Sequence, residues 1–282
     1  MKKKFAVFIL SHGRADNIIT LETLKKGNYT GDWYILIDNE DKTADQYYKL
    51  YGKDKVIMFD KLAVSKTFDT ADTFQDRRTI VYARNVCFDI AEKLGIDYFL
   101  ELDDDYTTFL YRYIKDNRLL STPVRQLDRL FELMIDFLES SGATTVALAQ
   151  GGDLIGGAKG SKFHQRVLRK AMNTFFCKTS NRFQFLGRIN EDVNTYANLG
   201  SKGHLFLTIT DVAINQKQTQ TNKGGMSNIY LDSGTYLKSF YSVMFSPSFV
   251  QVYRLMTTNS RIHHRLNYEK GVPKIINQKY KK

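Results

Sequence analysis

Three consecutive carboxylates, Asp103 to Asp105, follow an apolar run, Tyr98 to Leu102, in the segment YFLELDDDYTTF. The apolar run is typical of a buried strand, beside which unpaired charge is costly. Neighbouring carboxylates repel one another unless a cation lies among them, and hard divalent ions such as Mg²⁺ or Mn²⁺ prefer oxygen ligands. The segment therefore indicates a metal site that holds a diphosphate, although a DDD triplet alone also fits a cap or a solvent-facing turn.

The segments around this triplet alternate between apolar strands and helical patterns. The predicted strands are Phe5 to Leu10, Trp33 to Ile37, Lys55 to Phe59, Tyr98 to Leu102 and Thr144 to Leu148. The predicted helices are Thr79 to Leu94, stopped by Gly95, and a second one entered at Thr122-Pro123 and closed by Gly142. This alternation predicts an α/β fold with a mostly parallel central sheet and helices on both faces. Ligands of such sheets bind at the carboxyl ends of strands, where the triplet lies.

The charge of the chain is divided unevenly between its two halves. Residues 1–150 hold 21 Lys and Arg against 24 Asp and Glu, a net charge of −3, whereas residues 151–282 hold 20 against 6, a net charge of +14. A basic half of this kind indicates a polyanionic partner, with nucleic acid favoured over an anionic membrane and over a solvated face that binds nothing. Because neither an internal repeat nor a linker is evident, we expect one domain over residues 1–282, with a nucleotide-binding first half and an acceptor-binding second half.

Composition excludes several other classes of protein. A hydrophobic content of 43% in 282 residues is enough for a packed core, which excludes a disordered chain. The apolar run after the first lysines is too short to cross a bilayer and leads to no signal-type cleavage site. Cys87 and Cys177 lie in apolar segments without metal-ligand spacing, which is typical of core residues in a reducing compartment. We therefore expect a cytoplasmic protein with no membrane partner.

The segment ARNVCFDIAEKLGIDYFLELDDD resembles the part of GT-A-fold glycosyltransferases in which an Arg-Asn pair precedes a helix, a strand and a DxD metal motif. The resemblance implies that Asp103 and Asp105 form the DxD pair, with Mn²⁺ or Mg²⁺ as cofactor and Asp104 between them in the donor site. It also implies that Arg84, beside Asn85, contacts the diphosphate or the donor sugar, a role that suits the fixed donors of a guanidinium.

Two further strand ends match the donor side of the same family. The segment SHGRADN supplies Arg14 where such enzymes hold the nucleotide base, and IDNED supplies Asp38 where they contact the base or the ribose. Each of these residues also fits an ordinary loop or cap.

Two later segments match the acceptor side and the metal site. In FLGRINEDVNTYANLG, Glu191 and Asp192 begin a predicted short helix, where acidic residues favour the positive end of the dipole. Many inverting GT-A enzymes carry an ED pair at this point, and the resemblance favours Asp192 over Glu191 as the general base. RIHHR offers His263 or His264 as a third metal ligand, since adjacent side chains point to different sides, although an exposed basic segment is equally ordinary.

The run NQKQTQTNKGGMSNIYLDSGTYLKSFYSVMFSPSFV, followed by RIHHR and PKII, resembles the phage TET-associated glycosyltransferases. These enzymes act on 5-hydroxymethylpyrimidines in DNA. The resemblance implies a UDP-sugar donor, a DNA acceptor that carries the hydroxymethyl base, inversion at the anomeric carbon, and work in the cytoplasm of an infected bacterium. The residues that it places at the acceptor are Gly224, Gly225, Tyr236 and Lys238.

Two alternatives stay open from the sequence. One is a GT-A glycosyltransferase with a glycan or protein acceptor, for which the basic second half would be incidental. The other is a catalytically silent GT-A-like module that binds nucleic acid. The charged residues kept in an apolar neighbourhood, Asp103, Asp105 and Asp192, count against a silent site.

Overall fold

A computed structural model describes residues 3–72, 77–216, 227–255 and 261–271, with side chains throughout these ranges except at positions 161, 227–235 and 261. The strands are β1 (Phe5–Leu10), β2 (Asp32–Asp38), β3 (Val56–Phe59), β4 (Tyr98–Asp103), β5 (Tyr106–Lys115), β6 (Arg118–Pro123), β7 (Thr145–Ala149), β8 (Val167–Leu168), β9 (Phe175–Lys178), β10 (Phe206–Gln216), β11 (Val250–Leu255) and β12 (Arg261–Leu266). The helices are α1 (Ile19–Lys26), α2 (Ala44–Tyr51), α3 (Lys61–Ser65), α4 (Val81–Lys93), α5 (Leu127–Ser141), α6 (Ser161–His164), α7 (Glu191–Ser201), α8 (Ser227–Phe245) and α9 (Tyr268–Gly271).

A ten-stranded sheet positions all the other elements of the pocket described below. Its order is β3-β2-β1-β4-β9-β7-β10-β5-β6, with β8 paired to β10. The strands β3, β2, β1 and β4 are parallel, as are β7 and β10, while β9, β5, β6 and β8 join in antiparallel pairs. The predicted α/β fold is confirmed. Because β1, β2 and β4 run in one direction, Ser11, Asp38 and Asp103 come to the same edge of the sheet.

Apolar residues cover both faces of this sheet, as parallel strands require. Along β1, Val7 and Ile9 join a core with α5, where Phe131 is buried, while Phe8 faces the other side and joins a core with Phe88 of α4. No helix in the described part of the chain is both long and apolar enough to cross a membrane.

One predicted boundary is wrong, because Thr122-Pro123 ends a strand instead of opening a helix. Asp116 and Asn117 both have positive φ, 51° and 57°, which is the geometry of a two-residue hairpin turn. This turn folds β6 back on β5, so that Pro123 pairs with Leu110 on the outermost strand, where a proline costs no sheet hydrogen bond. Helix α5 consequently begins at Leu127.

Candidate active site

A cavity of about 540 Å³ opens at the edge where β1, β2 and β4 end. Its walls come from those strand ends, from the first turns of α4 and α7, and from Lys238 of α8. The volume is in the range of small-molecule and cofactor pockets. Asp103, Asp104 and Asp105 all line it, so the triplet lies in a pocket and not on an open surface.

Thr20, in the first turn of α1, holds the backbone of the triplet. Its hydroxyl donates to the carbonyl of Asp103 at 2.6 Å and accepts from the backbone N–H of Tyr106 at 3.0 Å. Its own backbone N–H donates to the carbonyl of Asp104 at 3.1 Å. The turn between β4 and β5 is therefore fixed by a residue more than eighty positions away.

The three carboxylates have different partners. Asp104 is buried and accepts from the Arg14 guanidinium at 2.7 Å and from the Ser11 hydroxyl at 2.6 Å, both at the end of β1. Asp103 accepts from Nη2 of Arg84 at 3.1 Å. Asp103 ends β4, whereas Asp104 lies in the turn that follows, so these two carboxylates face different partners: Arg84 of α4 for Asp103, and Arg14 and Ser11 for Asp104.

Arg84 is the most enclosed charged residue of the pocket, with 1% of its surface exposed. Its Nε donates to Glu191 at 3.1 Å, its Nη1 to Glu101 at 3.4 Å, and its Nη2 to Asp103. The guanidinium also lies over the ring of Phe175, 4.9 Å from its centroid. It thereby joins the end of β4 to the beginning of α7.

Three carboxylates share this one guanidinium, and burial is the main cause of the raised pKa of each. Burial raises the pKa of Asp103 to about 7 against the opposing effect of Arg84, and the charges of Asp105 and Asp104 add to the rise. Burial likewise raises the pKa of Glu101 to about 8, and burial with the charge of Asp192 raises that of Glu191. A divalent cation would relieve this repulsion, and the carboxylate oxygens of Asp103 and Asp105 are the ligands that Mg²⁺ or Mn²⁺ accepts. The residues present therefore fit the implied metal.

Asp38, at the end of β2, has two side-chain hydrogen-bond partners of its own. His12 Nδ1 lies 2.8 Å from Asp38 Oδ2, and the buried ammonium of Lys61 donates to the same oxygen at 3.1 Å. Burial alone would raise the pKa of Asp38, but the hydrogen bond from His12 and the charge of Lys61 outweigh it and lower the pKa. An ionised carboxylate thus stands at this end of the pocket.

The loop before α7 carries Glu191 and Asp192 into the pocket. Asn190 is left-handed, with φ of 62°, and the side-chain amide of Asn194 donates back to the carbonyls of Leu186 and Ile189 at 3.0 and 2.9 Å. Asn85 holds the preceding part of the loop: its amide pairs with both the N–H and the carbonyl of Phe185. The loop conformation is therefore set by asparagine side chains.

Glu191 and Asp192 are not equivalent within this pocket. Glu191 is bound to Arg84, whereas Asp192 Oδ1 accepts from the backbone N–H of Val193 at 2.7 Å at the helix start. Asp192 lines the pocket, and its carboxylate is bound to the backbone of its own helix instead of to Arg84.

The second half of the chain contributes α8 and the β11–β12 hairpin. Lys238 lines the pocket, while Tyr236, 55% exposed, lies parallel to Phe240 with ring centroids 5.9 Å apart. His264 Nδ1 is 3.3 Å from the Asn190 amide nitrogen, and burial, with the charges of His263 and Lys238, lowers the pKa of His264 to about 3. His264 is thus a neutral imidazole behind the α7 loop.

Comparison with known proteins identifies the chain. A family model described as TET-Associated Glycosyltransferase matches residues 5–225. The chain belongs to the TET-associated glycosyltransferase family. The family predicted from the sequence motifs and the prediction of a glycosyltransferase are both confirmed.

Solved structures with a similar backbone fold have low sequence identity to this glycosyltransferase. Glucosyl-3-phosphoglycerate synthase from Mycobacterium tuberculosis, in complex with Mn²⁺, UDP and phosphoglyceric acid, is 8% identical, with 94% of this chain and 87% of that chain covered and a TM-score of 0.48. A cytidylyltransferase from Leptospira borgpetersenii serovar Hardjo-bovis (strain JB197) is 15% identical, with 88% and 96% covered and a TM-score of 0.41. No curated protein matches the chain.

The structure of this glycosyltransferase gathers most of the predicted residues around one cavity. The lining includes Arg14, Asp38, Arg84, Asp103, Asp104, Asp105, Glu191, Asp192 and Lys238. Asn85 lies outside the lining, and Gly224 and Gly225 lie outside the described residues. Within the described ranges, no group of three His, Cys, Asp or Glu side chains is placed to hold a metal, so His263 and His264 are not gathered with the two aspartates.

Several residues of the site carried no recognisable signal in the sequence. Thr20, Ser11, Lys61, Glu101 and Asn194 act through partners that are distant along the chain. From the sequence alone, Lys61 and Glu101 would be expected to be ordinary exposed side chains. Only the fold shows that both are buried beside other charged residues of the site.

Replacing Gly187 with Ala tests the loop before α7. Gly187 has a φ of +80°, and an added Cβ would lie 2.4 Å from Asn194 Nδ2 and 2.6 Å from the ring of Phe245. We expect a loss of about 1–3 kcal/mol in the free energy of unfolding, measured by urea denaturation. The control is Gly200→Ala in α7, where an added Cβ meets nothing within 4 Å and helix propensity favours Ala by up to about 1 kcal/mol. Equal losses in the two variants would contradict the described loop.

Proposed function

We propose that this glycosyltransferase moves a sugar from a UDP-sugar to the hydroxymethyl group of a 5-hydroxymethylpyrimidine in DNA, with a divalent metal and with inversion. The observation that carries the proposal is the meeting of Asp103, Asp105 and Asp192 in one pocket of a family member. The first two residues have the chemistry of a metal-diphosphate site, and the third has that of a general base.

The donor would occupy the side of the pocket formed by β1, β2 and β4. Asp38, held ionised by His12 and Lys61, would accept hydrogen bonds from the base or the ribose. Arg14 and Arg84 supply positive charge on either side of the triplet. Donor binding would therefore use two arginine side chains whose positions are already set by ion pairs, that of Arg14 with Asp104 and that of Arg84 with Asp103.

Asp103 and Asp105 are the residues that would hold Mn²⁺ or Mg²⁺. When bound, such an ion neutralises the diphosphate and stabilises it as a leaving group. Arg84, already beside Asp103, would orient that carboxylate and reduce the repulsion between it and Glu191.

Asp192 would take the proton from the acceptor hydroxyl. Its Oδ1 accepts from the N–H of Val193, and the residue lines the pocket at the beginning of α7. The hydroxymethyl oxygen would form its bond to the anomeric carbon as the bond to the diphosphate breaks, and its proton would pass to Asp192. Direct attack of this kind inverts the anomeric configuration.

The DNA acceptor is supported by family membership and by charge. Residues 151–282 carry a net charge of +14, and neutralising backbone phosphates supplies most non-specific affinity for nucleic acid. Position five of a pyrimidine is exposed in the major groove, so the hydroxymethyl group is accessible before any base is displaced. Lys238 lies where the pocket meets α8 and would contact the acceptor, with Tyr236 on the outer side of that helix.

Mass spectrometry of nucleosides tests the reaction as a whole. DNA that contains 5-hydroxymethylcytosine or 5-hydroxymethyluracil is incubated with the protein, Mn²⁺ and a panel of nucleotide sugars, and each reaction has an EDTA control. We expect a sugar mass on one of the bases only where metal is present. Release of UDP from one donor with no adduct on either DNA would reject the DNA acceptor and point to a glycan or protein.

Replacing Asp105 with Ala tests the metal assignment. We expect the variant to fold normally but to lose Mn²⁺ binding in calorimetric titrations made with UDP present, because one carboxylate ligand is gone, and to lose transfer with it. The control is Asp136→Ala on α5, whose exposed carboxylate is remote from the pocket lining. Unchanged Mn²⁺ affinity in the folded Asp105 variant would exclude Asp105 as a ligand.

Replacing Asp192 with Asn tests the general base. The amide keeps the size of the side chain but accepts no proton, so we expect kcat to fall about 10²- to 10⁴-fold while the affinity for UDP and Mn²⁺ is unchanged. Steady-state transfer and UDP titration are the measurements, with Asp136→Asn as the control. Full transfer by the Asp192 variant would assign the base to another residue.

A further inference from the structure

A basic, glycine-rich stretch connects the end of β7 to the pocket. We call residues 151–170, GGDLIGGAKGSKFHQRVLRK, the basic segment. It begins one residue after Gln150 at the pocket edge of the sheet and returns through β8 to Asn173, which lines the pocket. It holds three lysines and two arginines against the single acidic residue Asp153.

The basic segment is held firmly against β10 and against itself. The hydroxyl of Thr208 donates to the carbonyl of Lys170 at 2.8 Å, and the backbone N–H of Thr210 donates to the carbonyl of Arg166 at 2.8 Å. Asp153 is buried, where its carboxylate pairs with the Lys170 ammonium and accepts from the N–H of Gln150 at 3.1 Å. The only acidic side chain of the segment is therefore used inside it.

The cations of the basic segment divide into two groups by their contacts. Arg166 pairs with Asp211, Arg169 donates to the carbonyl of Gly200 at 3.2 Å, and Lys170 pairs with Asp153. Lys159 and Lys162 are exposed, and within the described part of the chain their ammonium groups make no ion pair. The first group supports the segment, and the second presents positive charge to solvent.

The positive surface continues onto the β5–β6 hairpin. The short helical turn Gly157–Lys159 contacts β6. On the hairpin, the exposed residues Lys115 and Arg118 stand opposite each other in the register of β5 and β6. Like charges placed opposite one another in a sheet are unfavourable on their own. An anionic partner would remove that repulsion, so the hairpin and the basic segment favour the same kind of ligand.

We propose that Lys159 and Lys162 form a docking surface for the phosphodiester backbone of the acceptor nucleic acid, outside the pocket in which the sugar is transferred. The inference rests on the proposed DNA acceptor. Both ends of the basic segment lie at the pocket edge. Phosphates bound to Lys159 and Lys162 would therefore hold a base near Asp192, and the phosphates themselves would not contact Asp192. Phosphate contacts of this kind fix the position of the duplex and carry no sequence information.

The test compares two double variants that each lose two exposed lysines. Lys159→Gln with Lys162→Gln removes the proposed surface, and Lys49→Gln with Lys93→Gln removes equal charge from α2 and α4. Binding of a fluorescein-labelled 20-base-pair duplex is measured by anisotropy over a series of KCl concentrations. We expect the first variant to reduce the slope of log K against log[KCl] by about 2, since each phosphate contact contributes about 0.9, and to raise KM for DNA. The control variant keeps the slope of the unmodified protein.

Each other result has a definite meaning. Equal slopes for both variants and the unmodified protein, in a protein that glycosylates DNA, would overturn the docking surface and leave the proposed function intact. Absence of both DNA binding and DNA glycosylation in the unmodified protein would overturn the proposed function and this surface together. If the first variant instead loses binding to phosphatidylglycerol vesicles with DNA binding unchanged, the surface belongs to a membrane. Equal unfolding midpoints and UDP affinities for all three proteins exclude a folding defect.

Discussion

The pocket depends on one buried interaction, the guanidinium of Arg84 among Glu101, Asp103 and Glu191. A charge with 1% exposure is tolerated only when it is paired, and each of the three guanidinium nitrogens of Arg84 has a carboxylate oxygen within 3.4 Å. Because those carboxylates come from the middle of β4, the end of β4 and the beginning of α7, the pairing fixes the distance between the triplet and Asp192. The two chemical halves of the site are therefore positioned by a single residue of α4.

The same interaction leaves more carboxylates than cationic groups around Arg84. One guanidinium is shared by three carboxylates, and Asp105 is a further carboxylate beside them. Burial raises the pKa of Asp103 to about 7, and the charge of Asp105 adds to the rise. A divalent cation, as the proposed function requires, would reduce the repulsion among these carboxylates. Asp104, the central aspartate of the triplet, forms its ion pair with Arg14 and does not share the guanidinium of Arg84.

The exposed positive charge of the basic segment lies on a different surface from the carboxylates of the pocket. The pocket is built mainly from the first half of the chain, and the exposed lysines of the basic segment lie on the side of β7, β10 and the β5–β6 hairpin. A polyanion that approached the triplet directly would be repelled by it. If the proposed donor and acceptor are right, this separation would let them meet at a shared edge that Asp192 and Lys238 line.

The sequence by itself determined the α/β fold, the position of the triplet at a strand end and the family, because apolar periodicity and compact motifs are local properties. Even so, the helix start predicted at Thr122-Pro123 is the end of a hairpin strand, because the positive φ values of Asp116 and Asn117 bring β6 onto β5. Only the tertiary structure decided that Arg84 binds carboxylates from two elements, that Asn85 holds Phe185 a hundred residues later, and that Thr20 shapes the triplet. These contacts join residues that are distant in sequence, and a side chain shows its partner only when the packing of the sheet brings the two together.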